Sequence, residues 1–187
     1  MLVLETIRLI LEPITWKHES ELHRLHHDPF VSKPIFNHAP VEADTRENLE
    51  LYIDSWKRYN FGSWIVYEKR RYALKNNIEV VGRSGLRIFS GTDNVEFGHC
   101  YLSEHSGQGF GFEAALAVAE FGFKCVGLKK LVAILRPDDT RGLRSIKRIG
   151  FQYIDDRLHE EKYWKYLEMQ SSRFFGSVIQ TISEDTL

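Results

Sequence analysis

A glycine-rich segment, residues 106–111 with the sequence Ser-Gly-Gln-Gly-Phe-Gly, has the composition of an anion-binding turn. Its three glycines occupy alternate positions, where they let the backbone turn sharply and let a ligand approach it closely. A glycine turn that opens a helix presents unpaired backbone N–H groups at the positive end of the helix dipole. Helix ends of this kind bind anions, most often phosphates. The segment therefore predicts a phosphorylated ligand, with a ligand-free strand-to-helix turn as the alternative.

The elements on either side of this segment are those that a phosphate-binding turn requires. An apolar, strand-like run, Val95 to Leu102, precedes it, and an alanine-rich run, Phe112 to Val126, follows it. The second run is apolar on nearly every side, which predicts a helix buried against a sheet. Two nucleotide-binding motifs are excluded. Position 112 is Phe where a dinucleotide-binding fingerprint needs Gly, and the chain has no Gly-Lys-Ser/Thr sequence of a P-loop.

The next part of the chain predicts a second strand and a short helix. Residues 131–135 form an apolar run, and residues 137–140, Pro-Asp-Asp-Thr, combine a turn with helix-capping side chains. The helix is expected from Arg141 to Ile149, and Gly150 ends it. Strand, glycine turn, buried helix, strand and short helix thus follow one another.

This order resembles the GNAT family of N-acetyltransferases, and in particular its ribosomal-protein N-terminal acetyltransferases. Residues 5–11, Glu-Thr-Ile-Arg-Leu-Ile-Leu, are similar to the opening strand of that branch. Residues 82–86, Gly-Arg-Ser-Gly-Leu, and residues 95–99, Val-Glu-Phe-Gly-His, are similar to two of its later strands. The resemblance covers residues 5–170, and its motifs occur in the order that the family has.

The resemblance implies a single α/β (α+β) domain with the acyl-CoA N-acyltransferase fold. Its centre is a mixed, mostly antiparallel sheet flanked by helices. We expect the domain to span residues 1–170, followed by a C-terminal tail at residues 171–187. Helical periodicity also covers Lys17–His27 and Thr45–Tyr59, and a proline-containing loop is expected between them. In relatives this region forms a wall of the acceptor site, so the resemblance makes pocket candidates of Phe30, Ile35, Phe36 and His38.

The resemblance also implies that the ligand is acetyl-CoA. The glycine segment would wrap the pyrophosphate with backbone amides, and the end of the preceding strand would pair with the pantetheine arm. The cofactor-binding residues implied in this way are Tyr101, Leu102, Ser103, Ser106, Gly107, Gln108, Gly109, Phe110, Gly111, Phe112, Asp139 and Gly142.

Three of these positions depart from the family pattern. Ser106 replaces a long side chain at the start of the loop. Asp139 replaces an Asn that bonds the cofactor arm, and a carboxylate lacks the amide donors of Asn. Gly142 replaces a Ser that lies near the thiol in relatives. These changes leave the expected binding of coenzyme A in place, but they remove a usual proton donor.

Three residues are candidates for acid–base chemistry, because attack on a thioester needs an unprotonated amine and a protonated leaving thiol. Relatives carry a carboxylate at the position of Glu96, which makes it the candidate base. His99, where relatives have Tyr, is a candidate proton relay. Ser145 lies one helical turn beyond Gly142 and is the candidate substitute acid. The alternatives are an ion-paired strand residue for Glu96, a packed strand histidine for His99 and a structural role for Ser145.

The resemblance implies transfer of the acetyl group to a primary amine, on a protein N-terminus or a small molecule, by direct attack. A fold relative that binds coenzyme A or an acyl-CoA without catalysis, as a sensor or interaction module, is the alternative. We expect no metal: His23 and His27 are four residues apart on a helix, but no further ligand pattern accompanies them.

Composition agrees with an ordinary globular domain. The 187 residues include 25 Lys and Arg against 26 Asp and Glu, so nothing predicts binding to nucleic acid or to an acidic membrane. Cys100 and Cys125 are expected to be core thiols in a reducing compartment, and no segment reads as a signal peptide or a membrane span. The resulting expectation is a cytoplasmic protein, and the resemblance is compatible with a homodimer.

Overall fold

The computed structural model describes residues 2–35, 40–70, 79–159 and 161–175. In this part of the chain a sheet of eight strands has the order β1-β2-β3-β4-β5-β6-β8-β7. The strands are β1 Leu4–Glu5, β2 Leu9–Pro13, β3 Ser63–Glu68, β4 Val80–Ile88, β5 Val95–Tyr101, β6 Lys130–Leu135, β7 Gln152–His159 and β8 Lys162–Gln170. Within it β5 and β6 pair in parallel and the other neighbours are antiparallel, which agrees with the expected fold class.

Apart from short helical stretches at residues 69–70 and 171–175, five α-helices accompany the sheet in the described residues. They are α1 Glu19–His27, α2 Pro29–Ile35, α3 Glu42–Tyr59, α4 Phe110–Lys124 and α5 Thr140–Ile149. The sheet separates two apolar cores, because side chains alternate between the faces of a strand. On β3, Val66 belongs to the core that contains α4 and α5, whereas Ile65 and Tyr67 belong to the core that contains α1 and residues of α3.

Helix α2 occupies the segment that the sequence predicted as a loop. Pro29 is its first residue, a position that proline tolerates because the first helical N–H has no intrahelical partner. Asp28 precedes it and accepts a hydrogen bond from Phe30 N–H at 2.8 Å. The proline therefore begins a helix at this point. Of the pocket candidates in this region, Phe36 and His38 lie outside the described residues.

The parallel strands β5 and β6 separate towards their C-terminal ends. Their register pairs Glu96 with Val132. Beyond that point β5 remains paired with β4 as far as Tyr101, and β6 remains paired with β8 as far as Leu135. The described residues thus leave a gap between two adjacent strands, and we call this gap the β5–β6 cleft.

The end of helix α4 corrects the expectation for Cys125. This residue was expected inside a buried helix, but α4 ends at Lys124 and the Cys125 side chain is exposed. Gly127, with φ of +79°, then turns the chain towards β6. Cys100, on β5, is half-buried.

The predicted tail begins as ordered structure. Residues 171–175 are helical, and the Phe174 ring lies 5.4 Å from that of Phe123 on α4. The remainder of the tail, residues 176–187, lies outside the described residues. Within the described part of the chain, no helix has the length and apolar character that crossing a membrane requires.

Candidate active site

The glycine segment forms the connection from β5 to α4. Residues Ser103–His105 make a short 3₁₀ turn, and the backbone then takes positive φ at Gly107 (+78°) and Gly109 (+81°). Nothing lies within 4 Å of the point that a Cβ on Gly107 would occupy. Gly109 is the N-cap of α4 and its carbonyl accepts the bond from Glu113 N–H at 3.1 Å. The amides of residues 110–112 precede this bond, so the segment presents the helix end that an anion requires.

Arg8 on the opening strand fixes this segment from the side. Its Nη1 donates to the Gln108 carbonyl at 2.9 Å, and its Nε donates to Glu113 Oε2 at 2.6 Å. The guanidinium also lies 4.8 Å from the centre of the Phe110 ring. In the sequence, Arg8 belongs only to a strand motif. The contact joins residues 100 or more positions apart, and sequence spacing carries no signal for it.

The backbone at the end of β5 has groups directed into the cleft. Leu102 N–H donates to Val81 O on β4 at 3.1 Å, so this amide is used inside the sheet. Backbone groups point to alternate sides along a strand, and those of His99 and Tyr101 therefore face the β5–β6 cleft. Ser103 is held by Asp28, whose Oδ2 accepts from the Ser103 amide at 2.9 Å and hydroxyl at 2.8 Å. Burial opposes ionisation of Asp28, but these hydrogen bonds lower its pKa.

Gly98 provides an open position on the sheet face that also carries Glu96. Nothing lies within 4 Å of the point that its Cβ would occupy. By contrast, a Cβ on Gly111 would lie 3.1 Å from the Tyr101 ring. The glycine in the strand therefore leaves room for a ligand, whereas the one in the helix allows close packing.

The three acid–base candidates divide between the two faces of the sheet. His99 and Ser145 lie together, with His99 Nε2 3.3 Å from Ser145 Oγ. Glu96 lies an odd number of residues from His99 and faces the other side. There it accepts two hydrogen bonds from Arg87, at 2.7 Å from Nε and at 3.1 Å from Nη2. The structure thus gives an ion-paired carboxylate on one face and a histidine–serine pair on the other.

His99 is neutral at physiological pH. Burial, with a smaller effect from the charge of Arg83, lowers its pKa to about 4. Its Nδ1 is buried and has no hydrogen-bond partner in the described residues. The rings of Phe97 and Tyr101 lie 5.3 and 5.6 Å from the imidazole.

Asp139 caps the helix that contains Ser145. Its Oδ1 accepts from Gly142 N–H at 2.7 Å, which is the usual bond between an N-cap side chain and the first turn. A Cβ on Gly142 would overlap the Asp139 carboxyl group. The two departures at these positions are therefore linked, because the carboxyl bends over the site where a Ser side chain would begin.

Comparison with known proteins decides the family. Residues 8–152 match the family model described as the acetyltransferase (GNAT) domain. The chain belongs to the GNAT family. It is 24% identical over 147 residues to YnaD, an uncharacterized N-acetyltransferase of Bacillus subtilis. The matched segment covers 79% of this chain and 81% of YnaD. The chain is thus an acetyl-CoA-dependent acetyltransferase by family.

Solved structures of the family share its fold. RimL, a ribosomal α-N-protein acetyltransferase in complex with coenzyme A, superposes with a TM-score of 0.73 at 13% identity, over 90% of this chain and 98% of RimL. The spermidine N-acetyltransferase of Vibrio cholerae, in complex with coenzyme A and spermine, superposes with a TM-score of 0.71 at 16% identity, over 91% and 99% of the two chains. These similarities confirm the mixed α/β fold.

Proposed function

We propose that this protein transfers the acetyl group of acetyl-CoA directly to a primary amine in the β5–β6 cleft. The observation that carries the proposal is the separation of β5 from β6 beyond Glu96, next to the glycine segment at the start of α4. An extended cofactor that places its pyrophosphate on that segment can lay its pantetheine arm along the open edge of β5. The amine then attacks the thioester carbonyl, the C–S bond breaks and coenzyme A leaves as a thiolate.

The cofactor-binding part of the proposal rests on backbone groups. The amides from Gly107 to Phe112 would bind the pyrophosphate, with Ser106 and Gln108 beside it. The cleft-facing backbone of His99 and Tyr101 would pair with the pantetheine amides. Leu102 and Ser103 support this edge, since their amides are already bonded to Val81 and Asp28. The open positions at Gly98 and Gly107 fit a ligand that touches the backbone.

Glu96 is proposed as the base that takes the proton of the amine. Its carboxylate is buried, whereas its partner Arg87 is 59% exposed. Each carboxylate oxygen accepts more than one hydrogen bond, so the pairing with Arg87 leaves capacity for a water molecule that leads to the amine. The two hydrogen bonds from Arg87 hold the carboxylate in one orientation. Glu96 and this water would therefore accept the proton of the amine on the sheet face opposite to α5.

Ser145 is proposed as the group that protonates the leaving thiolate. Its hydroxyl lies on α5, on the sheet face opposite to Glu96, and its Oγ contacts the neutral His99 imidazole. A base and an acid on opposite faces suit a reaction in which the amine arrives from one side and the thiolate leaves on the other. The proton of the amine goes to Glu96, and that of Ser145 goes to sulfur before being replaced from solvent.

The proposal is tested with a panel of amines. The panel contains peptides with free N-termini and polyamines, which are the kinds of acceptor named for the structural neighbours, and it also contains amino acids. Acetyl-CoA is expected to raise the melting temperature, since a ligand that binds only the native state stabilises it. Coenzyme A release is then measured over the amine panel. If acetyl-CoA binds but no amine in the panel raises coenzyme A release above the rate of acetyl-CoA hydrolysis, the proposal is overturned.

The base is tested with Glu96→Gln, which keeps the size of the side chain and removes its proton affinity. We expect kcat at neutral pH to fall by about 100-fold, the lower end of the range for general-base catalysis. Glu120→Gln, in an exposed ion pair on α4, is the matched control and should leave kcat unchanged. An unaltered pH–rate profile in Glu96→Gln would exclude Glu96 as the base.

A further inference from the structure

Arg83 on β4 carries a charge without a counterion among the described residues. Its polar contacts are with uncharged groups: Nη1 lies 3.4 Å from Ser63 Oγ, and the side chain also bonds to the Cys100 thiol. Its guanidinium carbon lies 4.9 Å from the centre of the Tyr52 ring. The Nε atom is buried and has no hydrogen-bond partner in the described part of the chain. The neighbouring cation on the same strand, Arg87, is by contrast fully paired with Glu96.

The tyrosine, cysteine and histidine side chains around Arg83 are uncharged. Burial raises the pKa of Tyr52 on α3 and of Cys100 on β5. Burial, with the charge of Arg83 as a second cause, lowers the pKa of His26 and of His99 to about 4. The charge of the Glu96 carboxylate also acts on Arg83, but both its oxygens already accept hydrogen bonds from Arg87. The face of the sheet under α3 therefore has a net positive charge at Arg83.

The position of this charge relative to the cleft follows from the strand register. Ser63 pairs with Gly85, and Gly85 pairs with Gly98, so these three residues form one row across the sheet. The Arg83 guanidinium reaches Ser63 and thus lies along this row. Neighbouring strands are about 5 Å apart, which puts the guanidinium within about 10 Å of the open position at Gly98.

We infer that the acceptor is a small amine that also carries a carboxylate, and that Arg83 binds this carboxylate while the amino group points to the thioester. The inference rests on the proposed function. A guanidinium matches the two oxygens of a carboxylate, and the charge of Arg83 becomes paired only when such an acceptor is present. The short distance to Gly98 favours amino acids, in which the two groups are separated by few bonds.

The test uses matched pairs of acceptors that differ only in the carboxylate, such as leucine with isopentylamine and phenylalanine with phenethylamine. Coenzyme A release is measured at saturating acetyl-CoA for the wild type, Arg83→Met and Arg83→Lys. In the wild type we expect kcat/KM to be at least about tenfold higher for the amino acid than for the matching amine, because its KM is lower. In Arg83→Met this preference should disappear. Arg83→Lys should keep part of it, since the charge remains without the fork geometry.

Arg58→Met, which removes an exposed arginine from α3, is the control for loss of one positive charge and should keep the preference. Circular dichroism establishes that each variant is folded. Equal kcat/KM for the members of each pair, or a preference unaffected by Arg83→Met, would overturn the inference and leave the proposed function standing.

If no amine is acetylated, the proposed function fails. Calorimetric titration of the same amino acids into the coenzyme A-loaded protein then decides whether Arg83 binds a carboxylate, with absence of binding as the negative result.

Discussion

His99 Nε2 on β5 lies 3.3 Å from Ser145 Oγ on α5, a contact between residues 46 positions apart in the chain. The imidazole is neutral, because burial lowers its pKa to about 4. The serine hydroxyl therefore has a partner that can accept or donate a hydrogen bond without a change of charge. The histidine orients this hydroxyl, which suits the role proposed for Ser145 as proton donor to the leaving thiolate.

Replacement of Ser145 by Ala should lower kcat by about 100-fold and leave the KM for acetyl-CoA nearly unchanged, because the hydroxyl is proposed to act on the leaving thiolate. His99→Gln should lower kcat less, since it only orients that hydroxyl. The double variant should be no slower than Ser145→Ala, because the two side chains act as one unit. Steady-state release of coenzyme A measures all three. Full additivity of the two effects would show that the residues act separately.

Stability should fall as the pH is lowered from 6.5 to 4, and His26 is a main cause. This side chain is fully buried, with Nδ1 3.0 Å from Thr45 Oγ1, and burial lowers its pKa to about 4. Below pH 6.5 the unfolded chain binds a proton at His26 that the native state does not bind. The free energy of unfolding therefore decreases with falling pH, by on the order of 1–3 kcal/mol for this residue.

Urea unfolding at several pH values checks this expectation. His26→Gln should flatten the pH dependence between pH 6.5 and 4, whereas His27→Gln, at an exposed position on the same helix, should not. The same dependence in both variants would assign the effect to other groups.

The sequence predicts the order of the elements and the glycine turn because both depend on local patterns. Gly107 and Gly109 take the positive φ that glycine favours, and the apolar sequence of α4 requires a buried position. Strand alternation could also have shown that Glu96 and His99 face opposite sides of β5, since they are three residues apart. The start of α2 at Pro29 was missed because proline suits both a loop and a first helical turn.

The parts of the site that the sequence did not predict come from contacts between distant elements. Arg8 reaches Gln108 across 100 residues, and Asp28 reaches Ser103 across 75. The unpaired charge of Arg83 is a property of its neighbours on three other elements. None of these relationships leaves a periodic or compositional signal, because each depends on how elements distant in the chain pack together.

Gly107 should be needed for cofactor binding and not only for the fold. Because φ is +78° at this position, an alanine here should lower the free energy of unfolding by about 1 kcal/mol. The methyl group of that alanine would project into the open space where the phosphate is expected to bind. Gly127 is a matched control, with φ of +79° and equally open surroundings near the other end of α4. Gly107→Ala and Gly127→Ala should lose similar stability in urea unfolding. Only Gly107→Ala should weaken acetyl-CoA binding in calorimetry, and equal weakening in both would contradict a role specific to the turn.

Arg8 should affect the KM for acetyl-CoA through the glycine segment. Arg8→Met removes the bonds to the Gln108 carbonyl and to Glu113 Oε2, which hold the turn against the opening strand. We expect the KM for acetyl-CoA to rise by about tenfold with little change in kcat, since ordering the turn then draws on binding energy. Lys124→Met, which breaks an exposed pair at the other end of α4, should change neither constant. A fall in kcat of the same size as the rise in KM would place Arg8 in the chemical step instead.

Asp139 should determine both the stability of α5 and the affinity for acetyl-CoA. Asp139→Ala removes the bond to Gly142 N–H and should lower the free energy of unfolding by about 1 kcal/mol. Asp139→Asn keeps an oxygen for the cap, removes a negative charge near an anionic ligand and adds amide donors. We therefore expect this variant to be as stable as the wild type and to bind acetyl-CoA more tightly in calorimetry. Asp138→Asn, at the exposed neighbouring position, controls for the loss of charge alone. If it raises the affinity as much as Asp139→Asn, the gain is electrostatic and Asp139 makes no contact with the cofactor arm.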